Sequence, residues 1–285
     1  MSATATNAPR TSTLPDGIGL SFPRLVRSEW IKFRTIRSTW WCYSILVVVT
    51  VGMAVLLGQF VTDSGASLPQ DAENGQLVSI NTASVTLTAL VVGVLGVLII
   101  SGEYGTGQVR STFTADPRRI GVILAKASVL ALTTFVVSAV STWIGVAASA
   151  ALQASRGVEA DLADPAVFLP ILGSSVFVTL LALLAFGIGL LVRSSAGGIA
   201  ITLGILLVLP IILSLVGGLL NAQWVADVYA FLPDQAGSQL FAYSYEGAGS
   251  RPGVVLNGWG GFGVLLAEVV VVGALALTVA RRRDV

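Results

Sequence analysis

The chain contains no histidine, and its only cysteine is Cys42. The lack of histidine excludes zinc sites with histidine ligands and every catalytic triad with an imidazole base, and a single cysteine excludes an internal disulfide. Charged residues make up only 11% of the 285 residues, whereas an ordinary soluble domain carries about a quarter. Hydrophobic residues make up 54%, and the mean hydropathy is +0.86. This composition indicates an integral membrane protein.

A nucleotide-binding loop is also missing from the sequence. A P-loop needs a lysine in the pattern Gly-x-x-x-x-Gly-Lys-Ser/Thr, and the only lysines, Lys32 and Lys126, follow Ile31 and Ala125. The stretch GEYGTG at 102–107 has no strand–helix–strand context, so it does not indicate a dinucleotide site. No paired acids or metal-ligand cluster occur in the apolar segments, which disfavours an intramembrane enzyme. We therefore expect no catalytic residue, metal or cofactor in this chain.

Six apolar segments are long enough to cross a bilayer, which takes roughly 20 residues of helix. They lie at about 40–61, 79–101, 121–152, 166–192, 196–220 and 257–280. The sequence therefore predicts an all-α integral membrane protein with six transmembrane helices over residues 39–285. The RSSAG sequence at 193–197 predicts a tight hairpin between the fourth and fifth spans, and the polar residues 1–20 are expected to form a disordered tail.

The basic residues concentrate in alternate loops, which sets the predicted orientation. They are Arg24, Arg27, Lys32, Arg34, Arg37, Arg110, Arg118, Arg119, Lys126, Arg193, Arg281, Arg282 and Arg283. The intervening loops carry mainly acidic residues. By the positive-inside rule, both termini and the loop after the second span are cytoplasmic. The aromatic residues of the largest outer loop, 221–256, predict short interfacial helices there.

Residues 21–38 have the pattern of an amphipathic helix ahead of the first span. One face is apolar and consists of Phe22, Val26, Trp30, Phe33 and Ile36. A basic amphipathic helix with aromatic anchors lies in the membrane interface. Its candidate functional residues are Arg27, Glu29, Trp30, Lys32, Phe33 and Arg34. The helix either anchors the first span only or also docks a cytoplasmic partner, and the sequence leaves both interpretations open.

The segment SGEYGTGQVRSTFTADPRR, residues 101–119, is polar although it lies between two long apolar runs. Its pattern predicts a short cytoplasmic helix between the second and third spans, with Thr106 as the N-cap. The mixture of one acid, several hydrogen-bonding groups and several arginines suits a protein contact, because complementary charge gives an interface its specificity. An ordinary positive-inside loop is the alternative.

Polar residues within the spans are candidates for a translocation path. Asn81, Ser84 and Thr88 recur at helical spacing in the second span. They either join helices or line the path. Glu268 lies near the centre of the last span, where an acid costs roughly 2.5–3.5 kcal/mol, so we expect it to face the bundle or a wet cavity. A structural role is favoured over a contact with a cationic substrate or a proton.

Two stretches resemble the membrane-spanning subunits of bacterial ATP-binding-cassette exporters of the ABCG-like, type-2 permease class. They are SEWIKFRTIRSTWW at 28–41 and EYGTGQVRSTFTADPRRIGVILAKA at 103–127, and the six-span layout agrees. The resemblance implies that residues 103–113 are a coupling helix seated on a cytoplasmic ATPase, with Glu103 as its principal polar contact and the N-terminal helix beside it. The implied coupling residues are Glu103, Tyr104, Gly105, Thr106, Gln108, Arg110, Ser111 and Thr112.

The same resemblance implies a permease in a bacterial plasma membrane that works with a dimer of ATPase subunits, which bind the ATP and magnesium. It also implies a second permease copy, identical or paralogous, and a hydrophobic or amphipathic cargo such as a drug, an antimicrobial peptide or a lipid-like molecule. Contact with lipid is expected, and contact with nucleic acid is not. Two other classes stay open: an ion-coupled transporter or channel that uses Glu268 without an ATPase, and a membrane scaffold protein.

Overall fold

The structure is a computed structural model that describes residues 21–60, 69–105, 107, 120–220, 222–244 and 254–282. Helices are the only regular elements in this part of the chain. They are α1 (Phe22–Thr35), α2 (Arg37–Gln59), α3 (Gln70–Thr82), α4 (Val85–Gly105), α5 (Ile120–Ala154), α6 (Pro165–Val192), α7 (Ser195–Leu203), α8 (Leu209–Leu220), α9 (Gln223–Ala230), α10 (Pro233–Ser238) and α11 (Gly258–Arg282). A short π-helical stretch, Gly204–Val208, joins α7 to α8. The predicted tail, 1–20, lies outside the described residues.

Six helical stretches are long and apolar enough to span a membrane, which confirms the predicted fold class. They are Arg37–Gln59, Gln70–Gly105, Ile120–Ala154, Pro165–Val192, Ser195–Leu220 and Gly258–Arg282. The second begins well before the predicted residue 79. Its first turns are polar, and they stay helical because Gln70 and Asn74 hydrogen-bond the loop that follows α5. A hydropathy window cannot detect such a polar extension.

The predicted hairpin between the fourth and fifth spans is confirmed. Helix α6 ends at Val192 and α7 begins at Ser195, so only two residues form the turn. Arg193 adopts a left-handed conformation with φ 56°, which reverses the chain after α6. The Ser194 side chain then caps α7 by accepting a hydrogen bond from the amide of Gly197.

Helix α6 is the centre of the bundle and contacts α3, α4, α5, α7, α10 and α11. Its closest neighbour is α4, because Gly96 lets the two backbones approach: a Cβ there would lie 3.1 Å from both the Ala185 Cβ and the Phe186 amide nitrogen. The fifth and sixth spans instead bury only 11% of their most apolar windows within the chain. Their outer faces are therefore left for lipid or for another protein.

Successive spans run in opposite directions, and the two ends of the bundle carry different elements. We call the end that carries α1 the α1 end; it also contains the last turn of α4, the first turns of α5 and the turn between α6 and α7. The opposite end carries α3, the loop 155–164, and the short helices α9 and α10. These two helices fall in the region for which the sequence predicts interfacial helices.

Candidate functional site

Helix α1 lies against α5 and is partly buried in the bundle. Glu29 and Phe33 are its fully buried residues, whereas Phe22 and Trp30 of the predicted apolar face are 49% and 41% exposed. The other residues of that face, Val26, Phe33 and Ile36, are half-buried or buried, and the Glu29 carboxylate lies among them. A carboxylate can be buried there only because it meets cations.

Those cations are lysines, and they define a group of four side chains that we call the charge cluster: Glu29, Lys32, Glu103 and Lys126. The Lys126 ammonium lies 2.5 Å from Oε2 of Glu29 and 2.8 Å from Oε1 of Glu103. The Lys32 ammonium lies 2.8 Å from Oε1 of Glu29 and 3.5 Å from Oε1 of Glu103. Two acids and two bases balance, so the cluster joins α1, α4 and α5 without net charge.

The centre of the cluster is dry. The side chains of Glu29, Lys126 and Glu103 are 3%, 6% and 10% exposed, whereas that of Lys32 is 28% exposed. Burial acts to lower the pKa of Lys32, but its hydrogen bond to Glu29 and the charges of Glu103 and Glu29 outweigh burial and raise that pKa. The lysine therefore stays charged across the physiological pH range. We infer that the buried ion pairs of Lys126 with Glu29 and Glu103 fix the relative positions of α1, α4 and α5.

Sequence reasoning missed this cluster, although a signal was present. Lys126 stands six residues after the start of α5 in the run VILAKASVL, so it is the one charged residue of an otherwise apolar stretch. The positive-inside pattern uses it only as a basic residue near the second loop. Both lysines of the chain belong to the cluster, and Glu29 lies one helical turn before the buried Phe33. Opposite charges on apolar helical faces were the available clue.

The structure describes only the first part of the predicted coupling segment. Glu103 is buried in the charge cluster, Tyr104 is half-buried beside it, and Gly105 ends α4 with its surface exposed. The other predicted coupling residues, Thr106, Gln108, Arg110, Ser111 and Thr112, lie outside the described residues. Glu103 thus contributes its carboxylate to an internal contact.

The last turn of α4 is also fastened to the turn between α6 and α7. The Arg193 guanidinium carbon lies 5.3 Å from the centre of the Tyr104 ring, a cation–π contact. The hydroxyls of Ser101 and Ser195 are 2.9 Å apart and share a hydrogen bond. Among described non-glycine residues, Arg193 alone has a positive φ, at a helix end where glycine is usual. We infer that its side-chain contact compensates for the backbone strain.

Two substitutions of Arg193 distinguish the backbone strain from the side-chain contact with Tyr104. Arg193→Ala removes the contact and keeps the strain, whereas Arg193→Gly removes both, so we expect the glycine variant to be more stable than the alanine variant by about 1 kcal/mol. Unfolding of both purified variants by SDS titration in mixed micelles measures the difference. An alanine variant as stable as the glycine variant would show that this backbone conformation is not strained.

The structure buries the predicted polar stripe of the second span inside the chain. Asn81, Ser84 and Thr88 are each no more than 3% exposed. The Asn81 amide donates to the Ser149 hydroxyl at 2.9 Å, and the Thr88 hydroxyl donates to the carbonyl of Val85 at 3.0 Å. In this arrangement the stripe joins the second span to α5 and to its own backbone.

Glu268 lies on α11, away from the stripe. It is half-buried, and its Oε2 has no hydrogen-bond partner among the described residues. Neighbouring positions on the same helix, Leu265 and Val272, lie close to Gly237 of α10 and Gly187 of α6. The predicted translocation residues are therefore divided between two separate helix contacts.

Comparison with known families assigns the chain. The family described as ABC-2 family transporter protein matches residues 25–209, from within α1 to the first residue of α8. The chain belongs to the ABC-2 transporter family. This confirms the resemblance seen in the sequence, and the match includes all four residues of the charge cluster. Among curated proteins, none matches the chain at a significant level.

Membership makes the protein a multi-pass permease of the ATP-binding-cassette type. An ABC-2 permease is the membrane component of a transporter and is not itself the catalyst. In general such a permease works with a separate ATP-binding subunit.

Proposed function

We propose that this ABC-2 permease is the membrane subunit of an ATP-driven exporter in a bacterial plasma membrane, with both termini and the α1 end in the cytoplasm. Residues 103–113 receive the movement of an ATPase dimer, which binds ATP and magnesium. The observation that carries the proposal is the charge cluster, because it ties α4 and α5, the helices before and after the coupling segment, to each other and to α1.

The position of the cluster explains how a push on the segment would reach the spans. Glu103 lies two residues before the end of α4, and Lys126 lies six residues after the start of α5. Their ion pair joins the two helices from which the intervening segment extends, and the ion pair between Glu29 and Lys126 joins α1 to them. Force on the segment then moves the ends of three helices together instead of bending one helix end.

The movement continues through the contacts at the last turn of α4. Tyr104 and Ser101 hold Arg193 and Ser195 at the turn between the fourth and fifth spans. The ATPase contacts themselves then belong to Gln108, Arg110, Ser111 and Thr112. Glu103 acts as a positioning residue that keeps this segment in register, so its role differs from the direct contact that the family resemblance implies.

A second permease copy completes the proposed exporter. The exposed apolar residues of the fifth span include Ile201, Leu207, Ile211 and Leu215, and a face of this kind is covered by lipid or by another helix. A cargo path along the shared midline of two copies suits a hydrophobic or amphipathic cargo, because such a path is lined by apolar side chains.

Glu268 favours a second candidate, an ion-coupled transporter that needs no ATPase. An unpartnered carboxylate oxygen in a membrane span is unfavourable unless it serves a ligand or a proton. This candidate predicts transport by the permease alone that Glu268→Gln abolishes. The charge cluster is unexplained by it, so the ATP-driven exporter is the better-supported function.

Co-purification tests the proposed exporter. The permease is tagged and isolated in mild detergent with a candidate ATPase encoded beside it. We expect a stable complex, and we expect Arg110→Glu to reduce recovery of the ATPase by at least about tenfold, as opposite charges at a protein contact become like charges. Arg281→Glu, near the exposed end of α11, is the matched control and should recover the ATPase normally. Equal recovery with both variants would contradict a contact through the coupling segment.

A further inference from the structure

The end of the bundle opposite α1 contains a cavity of about 480 Å³. It lies between the first turns of α6, the start of α11 and the segment 239–244. Leu169, Leu172 and Val176 form its α6 wall, and Phe262 lines the α11 side. Among the residues that the structure describes, those that line the cavity include no charged side chain, so the interior suits hydrocarbon.

The dimensions of the cavity match one leaflet of a bilayer. Its α6 wall runs from Pro165 to Val176, which at 1.5 Å per residue is roughly 16 Å. The hydrocarbon core of a bilayer is about 30 Å thick, so each leaflet contributes about 15 Å. Pro165 begins the fourth span and Gly258 begins the sixth, so the cavity starts at a membrane surface and descends into one leaflet. A single alkyl chain fits this shape.

Polar groups lie in the lining near that surface. Gln239 and Ser244 lie in the segment between α10 and α11, and Trp259 lines the cavity with 82% of its surface exposed. An indole at the start of a span is the usual anchor at the level of lipid headgroups. A ligand with one polar end would therefore bind with that end at the membrane surface.

The mouth of the cavity is acidic. Asp164 immediately precedes Pro165, and Asp71 accepts a hydrogen bond from the Tyr243 hydroxyl at 3.3 Å. Tyr243 itself stands between the lining residues Ala242 and Ser244. Burial, together with the nearby charges of Asp71 and Asp164, raises the pKa of this tyrosine. The two carboxylates thus act on the mouth, where they favour a positive charge.

Further acids surround these two. Glu73 accepts a hydrogen bond from the Glu159 amide, and Asp164 accepts one from the Asn74 side chain. Arg156, the basic residue of the same loop, donates to the main-chain carbonyl of Gln59 at the end of α2. The field at this end is consequently negative, and an anionic headgroup would be repelled.

We propose that this cavity binds a cationic amphiphile, with one alkyl chain between α6 and α11 and its positive head beside Asp71 and Asp164. As a statement about cargo, the assignment rests on the proposed exporter and narrows its substrate class. Binding itself requires no ATPase, so the two proposals can fail separately.

Photolabelling in nanodiscs of neutral lipid tests this assignment. The probes are a hexadecylammonium with a diazirine in its chain and the carboxylate of equal chain length. We expect saturable labelling of peptides that line the cavity, with the ammonium preferred by at least about fivefold, the ratio that about 1 kcal/mol of ion pairing gives. Labelling spread evenly over all six spans would overturn the proposal, because it would show bulk lipid contact only.

Three variants identify the cavity and the charges. Ala166 is an exposed lining residue, so Ala166→Trp fills the mouth and should abolish most of the labelling. Ala267→Trp is the control: it lies on the exposed face of α11 outside the cavity and should leave the labelling unchanged. The combined change Asp71→Asn with Asp164→Asn removes both charges and keeps one accepting oxygen at each position, for the Tyr243 hydroxyl and for the Ala166 amide. It replaces the second oxygen of Asp164, which accepts from Asn74, and should remove the preference for the ammonium. Unchanged labelling in Ala166→Trp, or a preference that survives the double change, would overturn the proposal.

Discussion

Replacing Lys126 with methionine will lower the free energy of unfolding by about 3–5 kcal/mol, the penalty for removing one partner from a buried ion pair. Methionine has a side chain of similar length but no charge. Glu29 and Glu103 therefore stay buried and lose the ammonium group that they share. SDS titration of the purified permease in mixed micelles measures the change, and the yield of folded protein should decrease with it.

Two companion variants show whether the unpaired charge is the cause. Lys32→Met should lower stability by less than about 1 kcal/mol, because Lys32 is more exposed and Lys126 still pairs with both acids. A triple variant, Glu29→Gln, Glu103→Gln and Lys126→Met, removes both buried carboxylates and leaves only the charge of Lys32, the most exposed member of the cluster. It should therefore recover most of the stability lost in Lys126→Met. If Lys32→Met and Lys126→Met were equally damaging, the cluster would not have the dry centre described above.

Gly96→Val will disrupt the contact between α4 and α6, with a loss of at least about 1–3 kcal/mol, the usual range for overpacking. A Cβ at this position would overlap the carbonyl oxygen of Ala182, and it would lie 3.1 Å from the Phe186 amide nitrogen. Backbone atoms in the central helix cannot move aside as a flexible side chain could, so we expect the helices to separate. Thermal unfolding midpoints in one detergent, compared with the wild type, measure the loss.

Gly52→Val is the matched control for this substitution. Gly52 also lies within a membrane-spanning helix, α2, but a Cβ there has no neighbour within 4 Å among the described residues. Its unfolding midpoint should stay close to that of the wild type. If the two valine variants unfolded at the same temperature, helix propensity and not the α4–α6 contact would explain the loss.

Hydropathy was sufficient to predict the six spans and the hairpin, because both follow from local features. A span needs only an apolar run of the right length, and the turn after Val192 needs only a short polar break. The polar first half of α3 was not predictable in this way. Its helical state depends on Gln70 and Asn74, which bond residues almost 90 positions further along the chain.

The charge cluster was not predicted for the same reason. Glu29 and Lys126 are 97 residues apart, and Glu103 and Lys126 are 23 apart. A single sequence does not show which acid pairs with which base in the folded chain. Periodicity assigned only apolar residues to one face of α1, because it counts an acid as polar, whereas Glu29 is buried by virtue of its lysine partners.

We propose that an ATPase drives this permease through the segment between α4 and α5. The most direct test is ATP hydrolysis by the purified complex in nanodiscs, compared with the ATPase alone and with the complex that carries Arg110→Glu. We expect assembly with the wild-type permease to raise the hydrolysis rate, and we expect Arg110→Glu to return it to the rate of the ATPase alone. A rate that is the same in all three samples would contradict the claim.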